Sequence, residues 1–410
     1  MRTATFVLTV CLMWCGQTIT ILPLDLFTLK PGVFERNCMG DAIDWLQIIL
    51  RFEDAQLLEN PTDLPPEYHV YRCHSGCGGL IDRLRVIVPS ALMSIIDKNH
   101  FYIDTKYTPG LEKGSMVALM NFLTPYTSSR HIADRIAVSM DGHLIPGYPN
   151  YKNSGGKFGI SSPINLDEVT QSTLRHIPDD DVLLHPLKHL SPSRLIYCLA
   201  NILFQPTIRI QNQLKLYLRR LTCHSGCLFI ALQIRKGGLQ KRFQDNEERI
   251  SDQGDKMLIQ CARVLEAKLL EKHKTELDVS SHQTGNKGLQ IKKFLSTDDE
   301  DLANELSNDL TLRDQFIIVP GSVAHIDQTL NISYAEMEKV VLDHLLISYA
   351  DHVIISPGRF GEFAVGRSLG GVKTVIRSRD VILQNGKFNA TACLPEENFK
   401  PFINDIRWGN

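Results

Sequence analysis

The chain lacks an excess of charge of either sign. Its 44 lysines and arginines stand against 46 aspartates and glutamates, a formal net charge of −2. That balance excludes the basic footprint a nucleic-acid backbone requires, and there is no acidic tail to suggest a disordered binding arm. Beyond the first two dozen residues no run is apolar and long enough to cross a bilayer, which takes roughly 20 residues. No repeat period indicates a solenoid. What remains is ordinary globular composition, 43% hydrophobic and 22% charged over 410 residues, enough for two or three domains with a sizeable core.

The beginning of the chain is different in kind. Met1 and Arg2 precede an uncharged stretch from Thr3 to Leu24 with the apolar centre ATFVLTVCLMWCG. One basic residue and a short apolar centre read as a cleaved signal peptide over 1–24, with a short signal anchor as the alternative. The remainder is then expected in a lumenal or extracellular space. Of the ten cysteines, Cys11 and Cys15 lie in this leader, leaving Cys38, Cys73, Cys77, Cys198, Cys223, Cys227, Cys261 and Cys393. Eight cysteines in an oxidising lumen allow up to four disulfides of unassigned connectivity. Asn331-Ile-Ser333 and Asn389-Ala-Thr391 fit the N-glycosylation acceptor pattern, whereas Asn60-Pro-Thr62 is spoiled by its proline. The pentapeptide CHSGC occurs twice, from Cys73 and from Cys223. Four thiolates there suit zinc in principle, but disulfides explain the same residues in this compartment.

Hydrophobic patterning supplies the fold class. A strand at His69 to Arg72, the glycine turn CHSGCGGL, a helix from Ile81 to Asp97 and a strand FYID at Phe101 to Asp104 form a βαβ unit. From about Thr108 to Arg220 the pattern loosens into proline-containing loops and shorter helices, including Ser191 to Phe204. Alternation then returns, with strands at Leu228 to Arg235, Lys293 to Ser296, Gln315 to Pro320, His352 to Pro357 and Val372 to Ile376. Helices are expected between them at Asp252 to Lys274, Asp299 to Asn308, Ser333 to Tyr349 and Phe360 to Leu369, and Glu276 to Gly288 reads as a surface loop. Such regularity predicts a doubly wound parallel sheet with ligands at the carboxyl ends of its strands. The expected division is an N-terminal α/β domain over 25–215, a Rossmann-like domain over 216–380 and a tail over 381–410 that packs back.

Four strand-end motifs carry the chemistry. In CGGLIDRLRVIV, Gly78 and Gly79 permit a tight turn and close approach to a ligand, with Asp82, Arg83 and Arg85 in the following helix. In FIALQIRKGG, the strand delivers Gln233, Arg235 and Lys236 just before two glycines, where a guanidinium can pair with a diphosphate and stabilise a departing one. In KFLSTDDEDL, Thr297 or Asp298 is expected to cap the next helix and to present a polar group to a nucleoside. In VIISPGRFGEF, Ser356, Gly358, Arg359, Phe360, Gly361 and Glu362 open a helix whose first amides suit phosphate oxygens. Each motif alone has a plain structural reading, as a turn, a salt bridge or a cap. Their order is what is specific.

In that order, over about 70–105 and 228–378, the motifs resemble the fucosyltransferase superfamily that includes plant xyloglucan, rhizobial nodulation, α1,2, α1,6 and protein O-fucosyltransferases. The resemblance implies an α/β GT-B-like fold, two Rossmann-type domains facing across a cleft. It implies inverting transfer from GDP-fucose as donor substrate, with no metal and no other cofactor, to a glycan or glycoprotein acceptor, usually in the Golgi, with the ER or secretion as alternatives. Arg235 falls on the arginine that contacts the donor diphosphate, the Asp298 region on the nucleoside side, and the SPGRFGE turn near the phosphates. The chain departs from the pattern where Gly358 and Arg359 replace a Ser-Thr pair, where Gln233 replaces a histidine or small residue, and where an acidic residue after the arginine is missing. For the acceptor's proton, Asp82 and His74 beside the first glycine turn are the candidate bases, and Arg83 is a candidate ligand from the opposite lobe. Two other classes stay open: a different sugar-nucleotide transferase, and a non-catalytic lumenal glycan-binding protein.

Overall fold

In the computed structural model of this protein the described residues are 48, 68–72, parts of 81–96, 100–104, 171, 174–203, 206, 208–221, 227–239, 244–279, 289–308, 316–323, 333–367 and 372–394. Strands β1 (Tyr68–Arg72) and β2 (His100–Asp104) pair in parallel, Tyr68 opposite His100 and Arg72 opposite Asp104. Between them Ile81, Leu84, Ile87, Val88, Ala91, Leu92, Ile95 and Ile96 are helical and buried. Their three- and four-residue spacing is one apolar stripe of a helix, so the expected βαβ unit is present.

The second half is built on a five-stranded parallel sheet. Its strands are β3 (Cys227–Ile234), β6 (Gln290–Thr297), β7 (Phe316–Ile318), β8 (His352–Ile355) and β9 (Thr374–Arg377), in the order β7-β6-β3-β8-β9. Helices α1 (Pro192–Leu203), α2 (Ile208–Leu221), α3 (Asp252–Val279), α4 (Glu300–Asn308), α5 (Tyr334–Ser348) and α6 (Arg359–Arg367) pack around it, with the short α7 (Ser378–Val381) after β9. A short antiparallel hairpin, β4 (Gly237–Leu239) with β5 (Gln244–Glu248), follows β3 directly.

Strand residues alternate between two buried faces. Phe229, Ala231, Phe294, Val353 and Ile355 share one core cluster with Leu199 of α1, Leu214 of α2, Leu345 of α5 and Phe363 of α6. Ile230, Leu232, Ile234, Leu295 and Ile354 belong to a second, with Leu258 and Leu265 of α3 and Leu302 of α4. A strand buried on both faces has no polar face to alternate with, which is why CLFIALQI reads as a nearly continuous apolar run. Each large aliphatic side chain so buried contributes about 1.5–3 kcal/mol.

One polar network is buried within this core. Lys339 of α5 donates to the Val319 carbonyl at 2.9 Å and to Asp343 Oδ2 at 3.0 Å, and Ser296 Oγ donates to the same carboxylate oxygen at 3.1 Å. Burial pushes the Asp343 carboxyl up, while Lys339 and Ser296 pull it back. The network locks α5 to the ends of β6 and β7. At its N-terminus α5 has a capping box, Ser333 Oγ accepting from the Glu336 amide and Glu336 Oε2 accepting from the Ser333 amide. On the opposite side of the sheet a disulfide joins Cys261 of α3 to Cys393, 132 residues later, and so ties 378–394 to α3. Cys198 and Cys227 are disulfide-bonded as well, which removes Cys227 from any zinc set formed by the CHSGC repeat.

The position 215/216, where the sequence division was drawn, lies within α2, whose Ile210, Leu214 and Leu218 belong to the core cluster that includes Phe229 and Phe294 of the sheet. Two expectations are revised. The stretch read as a loop from Glu276 begins as the last turn of α3, which runs to Val279. The β4–β5 hairpin departs from the low strand propensity of QDNEE; it is closed by the Arg249 N–H donating to the Lys236 carbonyl at 2.6 Å, and its first residue is held from the end of β6 by the Gly237 N–H donating to Asp298 Oδ2 at 3.0 Å.

One helix contact tolerates no side chain. A Cβ on Gly366 of α6 would lie 2.1 Å from the Tyr197 ring of α1, and both residues are buried. Gly366→Ala is expected to lower unfolding stability by about 1–3 kcal/mol through overpacking, read as the midpoint of urea denaturation. An unchanged midpoint would show that α1 and α6 do not pack as described.

Candidate functional site

The sheet order brings the first strand to the centre, with the chain winding outward to β6 and β7 and then to β8 and β9 on the other side. The crossovers part between β3 and β8, and such a switch point is where open α/β sheets hold their ligands. The residues just past these two strands are those singled out from the sequence. Ser356 continues the ladder by donating its N–H to the Gln233 carbonyl at 2.9 Å. Its hydroxyl accepts from the Arg235 N–H at 2.8 Å and donates to Gln233 Oε1 at 3.0 Å. One hydroxyl therefore fixes both the strand-end backbone and the Gln233 carboxamide, which leaves Ser356 engaged with protein rather than open to a ligand.

Two glycines shape the crevice. Gly358 has φ +132°, a conformation that L side chains rarely adopt, and a Cβ there would meet Arg235 Nη1 at 3.5 Å and Cδ at 3.6 Å. The Arg235 side chain thus runs across Gly358, in front of the first turn of α6. A Cβ on Gly361 would lie 2.9 Å from Gln233 Oε1 and 2.8 Å from Ile355 Cγ2, so only glycine lets α6 seat on the ends of β3 and β8. The opening N–H groups of a helix have no acceptors within it and favour an anion. Arg359 and Phe360 open the helix; Glu362 pairs with Arg377 Nε, at the end of β9, at 3.8 Å. The Phe360 ring stands edge-on to the buried His344 imidazole at 5.3 Å, and burial followed by the Arg367 charge holds that imidazole well below the usual histidine range.

A second cluster lies on the β6 side. Asp298 Oδ1 accepts from the Lys236 amide at 2.7 Å and Oδ2 from the Gly237 amide at 3.0 Å. Burial pushes this carboxyl up and the two amides pull it down. The Lys236 ammonium bonds Asp252 at 2.5 Å and Asp299 at 2.8 Å, with Asp255 at 3.9 Å. Burial disfavours that charge, but the hydrogen bonds to Asp252 and Asp299 outweigh it and raise the ammonium above the ordinary lysine value.

Of the residues predicted from sequence, Gln233, Arg235, Ser356, Gly358, Arg359, Phe360, Gly361 and Glu362 come together at the switch point. Lys236, Thr297 and Asp298 form the adjoining cluster, and there the expected helix cap moves by a residue. Asp299, not Thr297 or Asp298, caps α4, its Oδ1 accepting from the amides of Asp301 at 2.9 Å and Leu302 at 3.1 Å. Asp298 is held by the 236–237 backbone, and Thr297 Oγ1 accepts from the Asp299 amide at 3.1 Å. His74, Gly78, Gly79, Asp82, Arg83 and Arg85 lie outside the described residues. Sequence reasoning missed Asp252 and Asp255 as partners of Lys236; the signal was two acids one turn apart at the start of a helix. Among the described residues no group of three or more His, Cys, Asp or Glu side chains is placed to hold a metal ion, and no helix is long and apolar enough to cross a membrane.

No protein family model matches the chain, and no curated protein matches it. Solved structures similar to it include the NodZ alpha-1,6-fucosyltransferase soaked with GDP-fucose, at 15% identity over 76% of this chain and 95% of that one, with a TM-score of 0.42. Fucosyltransferase NodZ from Bradyrhizobium has 15% identity over 76% and 96% of the two chains, with a TM-score of 0.42. A mutant of Arabidopsis thaliana FUT1 in complex with GDP has 13% identity over 84% and 76%, with a TM-score of 0.41. At identities and TM-scores this low the likeness stays a likeness, and the functional reading rests on the chain's own residues.

Asp255 gives the site a pH signature. Burial pushes its carboxyl up to about 7, Lys236 opposes, and Asp299, Asp252 and Asp298 add to the rise. A carboxyl whose pKa is raised in the folded state contributes stability that is complete below about pH 4 and is lost as pH climbs through about 7. Asp255→Asn keeps the neutral form at every pH. It is expected to raise the unfolding free energy near pH 8 by on the order of 1–2 kcal/mol and to leave it unchanged near pH 4. An equal effect at both pH values in thermal unfolding would show that the carboxyl is not titrating in this range.

Proposed function

We propose that this protein is a glycosyltransferase that transfers fucose from GDP-fucose to a glycan or glycoprotein acceptor. The observation that carries the reading is the placement of Arg235, bonded through its backbone to Ser356 at the switch point, its side chain drawn across Gly358 before the first turn of α6. A nucleoside diphosphate needs its leaving charge met by groups already fixed in place, and a guanidinium beside a helix N-terminus meets that need. The donor's identity comes from the ordered motifs, which resemble those of GDP-fucose enzymes.

In this reading an acceptor hydroxyl attacks the fucose anomeric carbon on the face opposite the diphosphate, so the linkage inverts. Arg235 and the opening amides of α6 stabilise the charge that gathers on the departing GDP, a role that in this proposal needs no metal ion. Gln233 and Ser356 hold the arginine-bearing end of β3 in register with β8. Asp82 and His74 are the proposed bases, from the first glycine turn. The apolar leader and the disulfides at Cys198, Cys227, Cys261 and Cys393 support a lumenal place of work in the secretory pathway, with the Golgi as the proposed compartment.

One feature favours a second reading, a glycan-binding protein without transferase activity. Gly358 and Arg359 stand where the resembled enzymes carry a Ser-Thr pair, and Ser356 is engaged with Gln233 and Arg235.

Hydrolysis of GDP-fucose in the presence of a chelator separates the readings. Arg235→Ala is expected to lower turnover about 100- to 1,000-fold, the range seen when one donor to a developing oxyanion is removed, with Arg235→Lys recovering part of it. Ser356→Ala is expected to have a smaller effect, about tenfold, because it loosens Arg235 without removing it. Turnover unchanged in Arg235→Ala would remove this residue from the mechanism. Failure of the unaltered protein to bind GDP or to turn over GDP-fucose would favour the second reading.

A further inference from the structure

The acceptor pattern Asn389-Ala-Thr391 has no part in the site described above, and the structure places it on an exposed strap. After α7 the chain turns back on itself, with Ile382 bridging Phe388, and enters a short 3-10 turn at Ala390–Cys393. Val381 and Cys393 are buried against the α3 side of the sheet, while Ala390, Thr391 and Leu394 face solvent. The Asn389 amide N–H donates to the Val381 carbonyl at 2.8 Å, and its side-chain Nδ2 donates to the Asp380 carbonyl at 3.1 Å at the surface. Four residues on, Cys393 is bonded to Cys261, a bond that forms and persists in an oxidising compartment. That is the compartment in which asparagine in this pattern is glycosylated.

We propose that Asn389 carries an N-linked oligosaccharide. A carboxamide nitrogen has two hydrogens, and the bond to Asp380 uses one. In the transfer the Nδ2–C1 bond to the first sugar forms and the bond from C1 to a lipid-pyrophosphate carrier breaks. The carrier leaves with the electron pair, and the nitrogen loses its second proton to a base of the transferring enzyme. The remaining N–H keeps its place on Asp380, so the modified chain folds into the strap seen here. In the folded strap Asn389 is held by both its backbone and its side chain, so the sugar is added before Cys393 closes on Cys261. The inference is independent of the donor site: it requires the secretory route and this strap, not GDP-fucose.

The test is expression of the full chain in a eukaryotic secretory host. The peptide containing Asn389 is then mapped by mass spectrometry, with and without an amidase that converts a glycosylated asparagine to aspartate in heavy-oxygen water. Glycan at Asn389 that is lost in Thr391→Ala and retained in Thr391→Ser supports the proposal, since the serine keeps the acceptor pattern. Unmodified Asn389 in chains whose Cys393 is disulfide-bonded overturns it. Unmodified Asn389 with Cys393 as a free thiol overturns it equally, because the oxidising compartment on which it rests would be absent.

Discussion

The Asp298 carboxylate, closed on the backbone amides of Lys236 and Gly237, is the constraint from which the site is built. Carboxylate oxygens accepting backbone N–H groups make charge-assisted hydrogen bonds, roughly twice as strong as neutral ones. They are placed where β3 ends and the chain must leave the sheet. Two bonds to successive amides fix the direction of that exit, so the β4–β5 hairpin starts in one orientation. The residue before them, Arg235, is then held at the lip of the sheet. Because Asp298 itself follows β6, the same grip binds the ends of neighbouring strands together. Ser356 makes the corresponding tie on the other side of β3, to β8. The central strand is fastened at its carboxyl end to both neighbours by side chains, beyond the point where the ladder stops.

This arrangement separates two adjacent cations that look equivalent on paper. Lys236 points to Asp252, Asp255 and Asp299, and its charge is matched several times over. It works as a structural pin that draws the start of α3 and the cap of α4 onto the end of β3. Arg235, one residue earlier, takes the opposite direction along Gly358, toward the switch point and the first turn of α6. Successive residues of an extended chain face opposite ways, so the alternation that divides Phe229 from Ile230 between two cores also divides Arg235 from Lys236 between two tasks.

The glycines complete the division. Gly361 gives up its side chain so that the Gln233 carboxamide and Ile355 can meet α6 directly, and Gly366 does so for Tyr197. Between them they set how deeply α6 sits against β3, β8 and α1, and therefore where its opening amides lie. Gly358, with its positive φ, turns the chain between β8 and that helix. A helix N-terminus attracts anions only over its first turn, so its position to within an ångström or two decides whether it serves a ligand.

Much of this was written in the sequence. Continuous apolar runs such as CLFIALQI and HVII declared buried parallel strands, because a strand covered on both faces has no reason to alternate. The glycine turn after β8 and the cations after β3 were legible for a similar reason: each is a local demand of backbone geometry or charge at a strand end. Sequence also placed Asp298 and Asp299 at the end of β6 but not their roles, since capping and the hold on the 236–237 backbone depend on which carboxylate faces the neighbouring strand. The partnership of Lys236 with Asp252 and Asp255, the polar hairpin at Gln244–Glu248, and the packing of α2 against this sheet were decided by contacts between elements distant in the chain. Local pattern tells a residue which face it occupies; only the assembled sheet determines what stands opposite.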